Sequence, residues 1–234
     1  SSAASDVYKR QGKDFGLKIE YKVQKKPQGI AQSLLLAKNF LKDSPCALIL
    51  GDNIFYGPGL REKLHEASLK RDGATIFGYT VKDPERYGVV KIDKSGKPIK
   101  ISEKPKKPKS NLAVTGLYFY DNKAVSLVKD LKPSKRGELE ITDLNRLYMD
   151  QGNLKLQTFS RGFAWLDTGT PESLHDASTF IRLIEERQNF KISCLEEIAF
   201  KNKWISRKSI EKKFKDRSDG CLLYTSDAAD DIPG

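Results

Sequence analysis

Cys46-Ala47-Leu48-Ile49-Leu50-Gly51-Asp52-Asn53 is a continuous apolar run that stops abruptly at a glycine and a carboxylate. The pattern predicts a buried parallel strand that delivers Asp52 to the carboxyl edge of an α/β sheet. That edge is where open α/β sheets bind ligands. Phe163-Ala164-Trp165-Leu166 ends the same way in Asp167-Thr168-Gly169-Thr170, so two strands far apart in the chain could each present one carboxylate. Two oxygen donors of this kind can hold one magnesium ion against phosphates. Taken singly, each aspartate also fits a turn former or a helix N-cap.

Upstream of this stretch, the alternating apolar residues of Leu17 to Gln24 predict a strand. Pro27-Gln28-Gly29 then turns the chain into a helix from about Ile30 to Leu41, with Ile30, Leu34, Ala37 and Leu41 facing the core. Together with residues 46–50 these segments predict a βαβ unit of right-handed crossover. Downstream, Leu60 to Arg71 has helical spacing, and His65 within it, beside Glu62 and Glu66, reads as a surface residue. Ala74 to Val81 predicts a strand, and Gly88 to Ile92 with Pro98 to Ser102 flank a hairpin turn at Lys94-Ser95-Gly96. Leu112 to Tyr120 is a further strand whose internal Gly116 marks a close backbone approach or a bulge.

Helices at about Asn122 to Leu131 and Glu140 to Gln151 precede strands at Leu154 to Phe159 and Phe163 to Leu166. Thr170-Pro171 is a cap followed by an N1 proline, opening a helix with Leu174, Ala177, Ile181 and Ile184 on its buried stripe. Residues 192–219 read as short helices, the last one basic. The expectation is an α/β fold, a Rossmann-like mixed sheet flanked by helices with one main domain. Residues 1–11 and 221–234 lack connected periodicity and read as non-native leader and tail. Residues 12–190 form the expected core and 191–220 a C-terminal helical segment.

The 234 residues, 38% of them hydrophobic, suffice for a sizeable core. No apolar run has the length of a membrane span, and no signal peptide pattern opens the chain. Cys46, Cys194 and Cys221 have neither metal nor disulfide spacing, so the expected location is the cytoplasm. The formal charge of +11, from 42 basic and 31 acidic residues, suits an anionic ligand. Much of the excess is lysine between Lys97 and Lys109 and basic residues between Arg207 and Arg217. With few aromatics between them, these fit a solvated face better than a nucleic-acid module, and no nucleic-acid or membrane partner is expected.

Six motifs carry a family resemblance. Residues 50–57 (LGDNIFYG), 83–90 (DPERYGVV), 103–105 (EKP), 113–121 (AVTGLYFYD), 136–143 (RGELEITD) and 165–170 (WLDTGT) resemble, in order, those of bacterial glucose-1-phosphate thymidylyltransferases. The resemblance implies the nucleotide-diphospho-sugar transferase type of sheet. It also implies a reaction joining dTTP to glucose 1-phosphate, releasing pyrophosphate and forming dTDP-glucose, which leads to dTDP-rhamnose and related surface polysaccharides. Asp52 and Asp167 resemble the pair that holds Mg²⁺, and Lys104 and Arg136 the cations on the sugar phosphate. Glu103 resembles the acceptor for glucose hydroxyls, with Gly88 and Val114 offering backbone groups and Tyr87 beside them. Gln24 resembles the residue that reads the thymine edge, and Gly29 lets the backbone come close to the base. Trp165 reads as core.

The resemblance begins only just before Leu17, and the family's opening Gly-x-Gly-x-Arg loop and its following lysine have no match. The expectation is therefore a fragment of a transferase, short of about two βα units at roughly 30 residues each, with little turnover and low solubility. The resemblance further implies a homo-oligomer, a tetramer, for the parent enzyme. A relative using UTP or GTP, and a metal-dependent glycosyltransferase on a similar sheet, remain alternatives.

Overall fold

The structure, a computed structural model, describes residue 12 and residues 15–214, and the expected leader and tail lie outside the described residues. The chain divides into two compact units, residues 22–174 and residues 1–21 with 175–234.

The larger unit opens with α1 (Gln32–Leu36) and α2 (Lys38–Leu41), followed by β1 (Cys46–Ile49), β2 (Asn53–Tyr56) and α3 (Leu60–Leu69). Then come β3 (Ala74–Thr80), a 3₁₀ turn at Pro84–Arg86, β4 (Gly88–Ile92), β5 (Pro98–Glu103) and β6 (Leu112–Tyr120). Helices α4 (Ala124–Lys129) and α5 (Ile141–Asp150) precede β7 (Leu154–Thr158) and β8 (Ala164–Asp167). The main sheet runs β5-β4-β6-β3-β7, with β1 beside β6, and β2 and β8 form a separate antiparallel ribbon. The sheet is mixed, because β3 and β7 are parallel while the other pairings are antiparallel. Both sheet faces are covered. Ile76, Tyr118, Tyr120, Leu144 and Tyr148 fill one layer, and Phe77, Leu117, Phe159, Phe163 and Ala67 the other. Successive residues of one strand point to opposite faces, so Ile76 and Phe77 serve different layers.

Five expectations need correction. Residues 17–24 form no strand, and Leu17, Ile19, Tyr21 and Val23 are exposed. Period-two alternation encodes an extended segment, but a strand also needs a ladder partner. The helix from Ile30 to Leu41 is broken at Ala37, where ψ reaches 0°. The break lets Leu34, Leu35 and Leu41 reach the core, while Ile30, expected to face it, stays exposed with Leu36 and Phe40.

β1 is antiparallel to β6 rather than parallel to an earlier strand, so the expected βαβ crossover is not formed. Nor is β1 fully buried. Cys46, Leu48 and Leu50 pack on the core while Ile49 is 59% exposed, and an unbroken apolar run encodes neither strand direction nor which face is covered. Finally, α6 (Pro171–Gln188) starts at the expected proline, yet Leu174 is exposed and Ala177 is its one buried residue.

The hairpin of β4 and β5 and the bounds of β6 are as expected, and His65 is exposed. The smaller unit carries α7 (Leu195–Lys201) and α8 (Arg207–Phe214).

Candidate active site

The two aspartates meet through the β2–β8 ribbon. Asn53 at the start of β2 lies opposite Asp167 at the end of β8, which places Asp52, one residue earlier, beside Asp167. Thr168 locks the junction by donating its backbone N–H (2.8 Å) and its hydroxyl (2.9 Å) to the Asp52 carbonyl. A β-carbon built on Gly169 would lie 3.3 Å from Asp167 Oδ1 and 3.8 Å from Asp52 Oδ2. The two oxygens thus border one small space that a side chain at 169 would invade. Asp52 stands in the turn between β1 and β2, and Asp167 at the end of β8. Among the described residues no group of three or more His, Cys, Asp or Glu side chains is arranged to hold a metal ion. Two hard carboxylates alone suit Mg²⁺, which fills the rest of its octahedron with water and phosphate oxygen.

Tyr87 connects this pair to a second cluster. Its ring centroid lies 5.0 Å from that of Trp165, and the Arg86 guanidinium carbon is 5.4 Å from the Tyr87 centroid. Burial raises the Tyr87 phenol above its ordinary value, opposed by Arg86 and reinforced by Asp167. The hydrogen bond to Asp83 holds Arg86 above its usual value, with Asp167 a lesser contributor. Gly88 follows. A β-carbon there would lie 3.1 Å from the Thr142 hydroxyl, 3.5 Å from Glu103 Oε2 and 3.9 Å from Val114 Cβ. The β4–β5 register sets Gly88 against Glu103, so the glycine leaves open the space above the Glu103 carboxylate.

Glu103 accepts a 2.5 Å hydrogen bond from Thr142 and lies 3.5 Å from Arg136 Nη2. Lys104 follows β5 at φ +37°, with its N–H on the Tyr87 carbonyl at 3.0 Å. Left-handed backbone at a non-glycine residue is strained and concentrates at functional sites. Lys104 is exposed and makes no ion pair among the described residues. Arg136 instead faces three carboxylates, Glu103, Glu138 and Glu140. The hydrogen bond to Glu140 is the largest cause of its raised pKa.

Gln24 and Gly29 sit together, the Gln24 amide donating to the Gly29 carbonyl at 3.2 Å and also to Gln32. The close approach that Gly29 serves is to the protein's own chain. Its φ is +97°, and a β-carbon would lie 2.4 Å from the Leu139 carbonyl oxygen. Leu139 N–H in turn bonds the Gln28 carbonyl at 2.7 Å, tying the Gln24 segment to the loop that carries Arg136 and Glu140. Val114 and Trp165 are buried, the latter donating its indole N–H to Asn53.

Sequence reasoning gave no role to Asn53, Thr142, Glu140 or Thr168. Glu140 carries no spacing signal, since Arg136 lies in the loop before the helix whose N-cap position Glu140 takes. Thr142 and Thr168 carry no such signal, since their partners come from distant strands. A half-open pocket of about 260 Å³ lies elsewhere, lined by Cys46, Ala67, Lys70, Arg71, Thr75 and Phe119 among others.

A curled mixed sheet that carries a carboxylate pair at Gly169 and a carboxylate at Gly88, with an arginine and a lysine beside the latter, is the frame of a sugar nucleotidyltransferase. The family model described as "Nucleotidyl transferase" matches residues 2–183. A glucose-1-phosphate thymidylyltransferase of Neisseria gonorrhoeae is 53% identical over 204 residues, 87% of this chain and 71% of that protein. One of Xanthomonas campestris pv. campestris is 54% identical over 201 residues, 86% and 68% respectively. Among solved structures, one described as a glucose-1-phosphate thymidylyltransferase of Bacillus anthracis superposes with a TM-score of 0.67 at 44% identity, covering 75% of this chain and 71% of that one. A UDP-glucose pyrophosphorylase shares the fold at TM-score 0.63 and 23% identity, with 70% and 66% covered. The chain belongs to the nucleotidyl transferase family and, within it, to the glucose-1-phosphate thymidylyltransferases.

Proposed function

We propose that this chain binds dTTP and glucose 1-phosphate and serves the Mg²⁺-dependent transfer of dTMP to the sugar phosphate, giving dTDP-glucose and pyrophosphate. The observation that carries it is the convergence of Asp52 and Asp167 on Gly169, with Tyr87 leading from there to Gly88, Glu103, Lys104 and Arg136. In the reaction a sugar-phosphate oxygen attacks the α-phosphorus of the nucleotide. The new P–O bond forms as the bond to the pyrophosphate breaks, so two polyanions must be aligned and their charge neutralised.

Asp52 and Asp167 would hold the Mg²⁺, which when bound supplies charge stabilisation to the attacking and leaving oxygens. Lys104, free of ion pairs among the described residues, supplies a point charge to the sugar phosphate. Arg136 supplies a planar fork to the same phosphate, exchanging part of its carboxylate contacts for phosphate oxygens. Glu103, its Oε2 fixed by Thr142, accepts glucose hydroxyls in the space above Gly88. The backbone of Gly88 and Val114 completes the sugar pocket. The Gln24 amide offers a donor and an acceptor to thymine.

The C-terminal helices expose Leu195, Ile198 and Phe200, with Trp204 just beyond, which supports assembly into a homo-oligomer. Light scattering coupled to size exclusion tests that assembly. Among the described residues no helix is long and apolar enough to cross a membrane, and a cytoplasmic location belongs to the same proposal.

The decisive experiment measures pyrophosphate release with glucose 1-phosphate, with and without Mg²⁺, using dTTP and UTP in parallel. Slow but magnesium-dependent release favouring dTTP, abolished in Asp167→Asn, is the expected result. Preference for UTP would overturn the nucleotide assignment, and release of free sugar nucleotide fragments without pyrophosphate would overturn the reaction class.

A further inference from the structure

We propose that Asn53 is the positioning residue of the carboxylate pair, its amide determining which oxygen of Asp52 faces Asp167. The proposal deepens the metal-site reading above and rests on it. Asn53 Oδ1 accepts two hydrogen bonds, from the Gly116 backbone N–H at 3.0 Å and from the Trp165 indole N–H at 2.7 Å. Both partners can only donate, so the oxygen end of the amide is assigned by chemistry. The NH₂ end must then point the other way, and Nδ2 donates to Asp52 Oδ1 at 2.8 Å. With Oδ1 of Asp52 held, its Oδ2 is the oxygen left on the Gly169 side, next to Asp167 Oδ1.

The surrounding backbone is shaped for this amide. Opposite Phe77 alone, β6 carries three residues, Thr115, Gly116 and Leu117, and such a bulge takes a backbone N–H out of the ladder. The freed N–H is that of Gly116, which Asn53 accepts. A β-carbon at Gly116 would stand 2.5 Å from Asn53 Oδ1 and 2.9 Å from Leu50 Cβ, so the amide fits only against glycine. One side chain therefore ties the start of β2 to β6 and β8 and delivers a hydrogen bond to the carboxylate. Aspartate at 53 would keep the two acceptor contacts, lose the donor and set a second negative charge against Asp52.

Binding of Mn²⁺ alone to the full chain, followed by electron paramagnetic resonance of the free ion at one fixed pH, tests the proposal. Circular dichroism melts accompany each variant. The unaltered chain binds Mn²⁺ and Asp52→Asn abolishes binding. Asn53→Ala weakens it about 10- to 100-fold, as loss of an outer-shell partner does. Trp165→Phe, which leaves the Asn53–Asp52 bond in place, weakens it far less. Asn53→Ser, whose hydroxyl is too short to span the Gly116 N–H and Asp52 together, weakens it by a similar factor.

If Asn53→Ala does not fold, the affinity of Asn53→Ser decides alone. Unchanged affinity in the folded variant, with Asp52→Asn still abolishing binding, overturns the role of Asn53 and leaves the metal site standing. Failure of the unaltered chain to bind Mn²⁺ overturns both.

Discussion

Glu140 holds Arg136 through both carboxylate oxygens, which lie 3.0 and 2.9 Å from Nη2, and Nε adds a contact of 3.2 Å. Glu140 is nearly buried and also accepts from the Ser134 hydroxyl at 2.7 Å. The pair therefore fixes the loop entering α5 as well as a cation for substrate.

Arg136→Ala leaves Glu140 buried without its counter-charge. Breaking a buried pair costs about 3–5 kcal/mol. The Arg136 side chain is 43% exposed, so solvent screening cuts the expected loss to about 1–2 kcal/mol by urea denaturation. Glucose 1-phosphate affinity, read by calorimetry, should fall in Arg136→Ala. It should be kept in Glu140→Gln, where the guanidinium is freed rather than removed. Equal losses of affinity in both variants would show that Arg136 acts only as a loop anchor.

Gly29→Ala probes the seam between the Gln24 segment and that loop. The backbone there is left-handed, and an added β-carbon collides with the Leu139 carbonyl at 2.4 Å. Neither strain can relax without breaking the Leu139 N–H bond to Gln28. A loss of about 1–3 kcal/mol is expected in chemical denaturation, and an unchanged midpoint would contradict the observed contact.

What the sequence could announce here followed the range of its signals. The bounds of β6, the β4–β5 hairpin and the Thr170-Pro171 helix start depend on neighbouring residues, and they were legible. The antiparallel partnering of β1 with β6 was not, because Cys46–Ile49 encodes an apolar strand whatever its neighbour. The carboxylates at 52 and 167 could be paired in advance only because each follows an apolar run and fits a resemblance. The ribbon that joins them, and the Thr168 clamp on the Asp52 carbonyl, depend on contacts across more than a hundred residues. Arg136 was legible as a cation, while its three carboxylate neighbours emerge only when β5 and the loop before α5 meet.

Cys46 gives a pH signature. Burial, with Asp121 as a second cause, pushes its thiol from 9.0 to about 11. The folded state thus favours the neutral thiol more than the unfolded chain does. The stability this confers is present below pH 9 and is lost as pH rises from about 9 towards 11. Only the thiolate reacts with alkylating agents, so iodoacetamide labelling of Cys46 should be slow at pH 8 and still accelerating at pH 10. Peptide mass spectrometry separates it from Cys194, and a labelling rate that levels off below pH 9 would contradict the burial.

The outer side of β1 carries the last prediction. Leu48 packs against the core, whereas Ile49 is 59% exposed on a strand paired only with β6 among the described residues. An apolar strand with an open edge is a template for pairing with another chain, and inward or edge lysines are a common protection. Ile49→Lys should therefore raise the soluble fraction and lower light scattering on standing. Its thermal midpoint should stay nearly constant, since a surface change of this kind falls within about 0.5 kcal/mol. Leu48→Lys, one residue away on the covered face, should instead unfold the unit. If Ile49→Lys aggregates as readily as the unaltered chain, the open edge of β1 is not the surface through which copies associate.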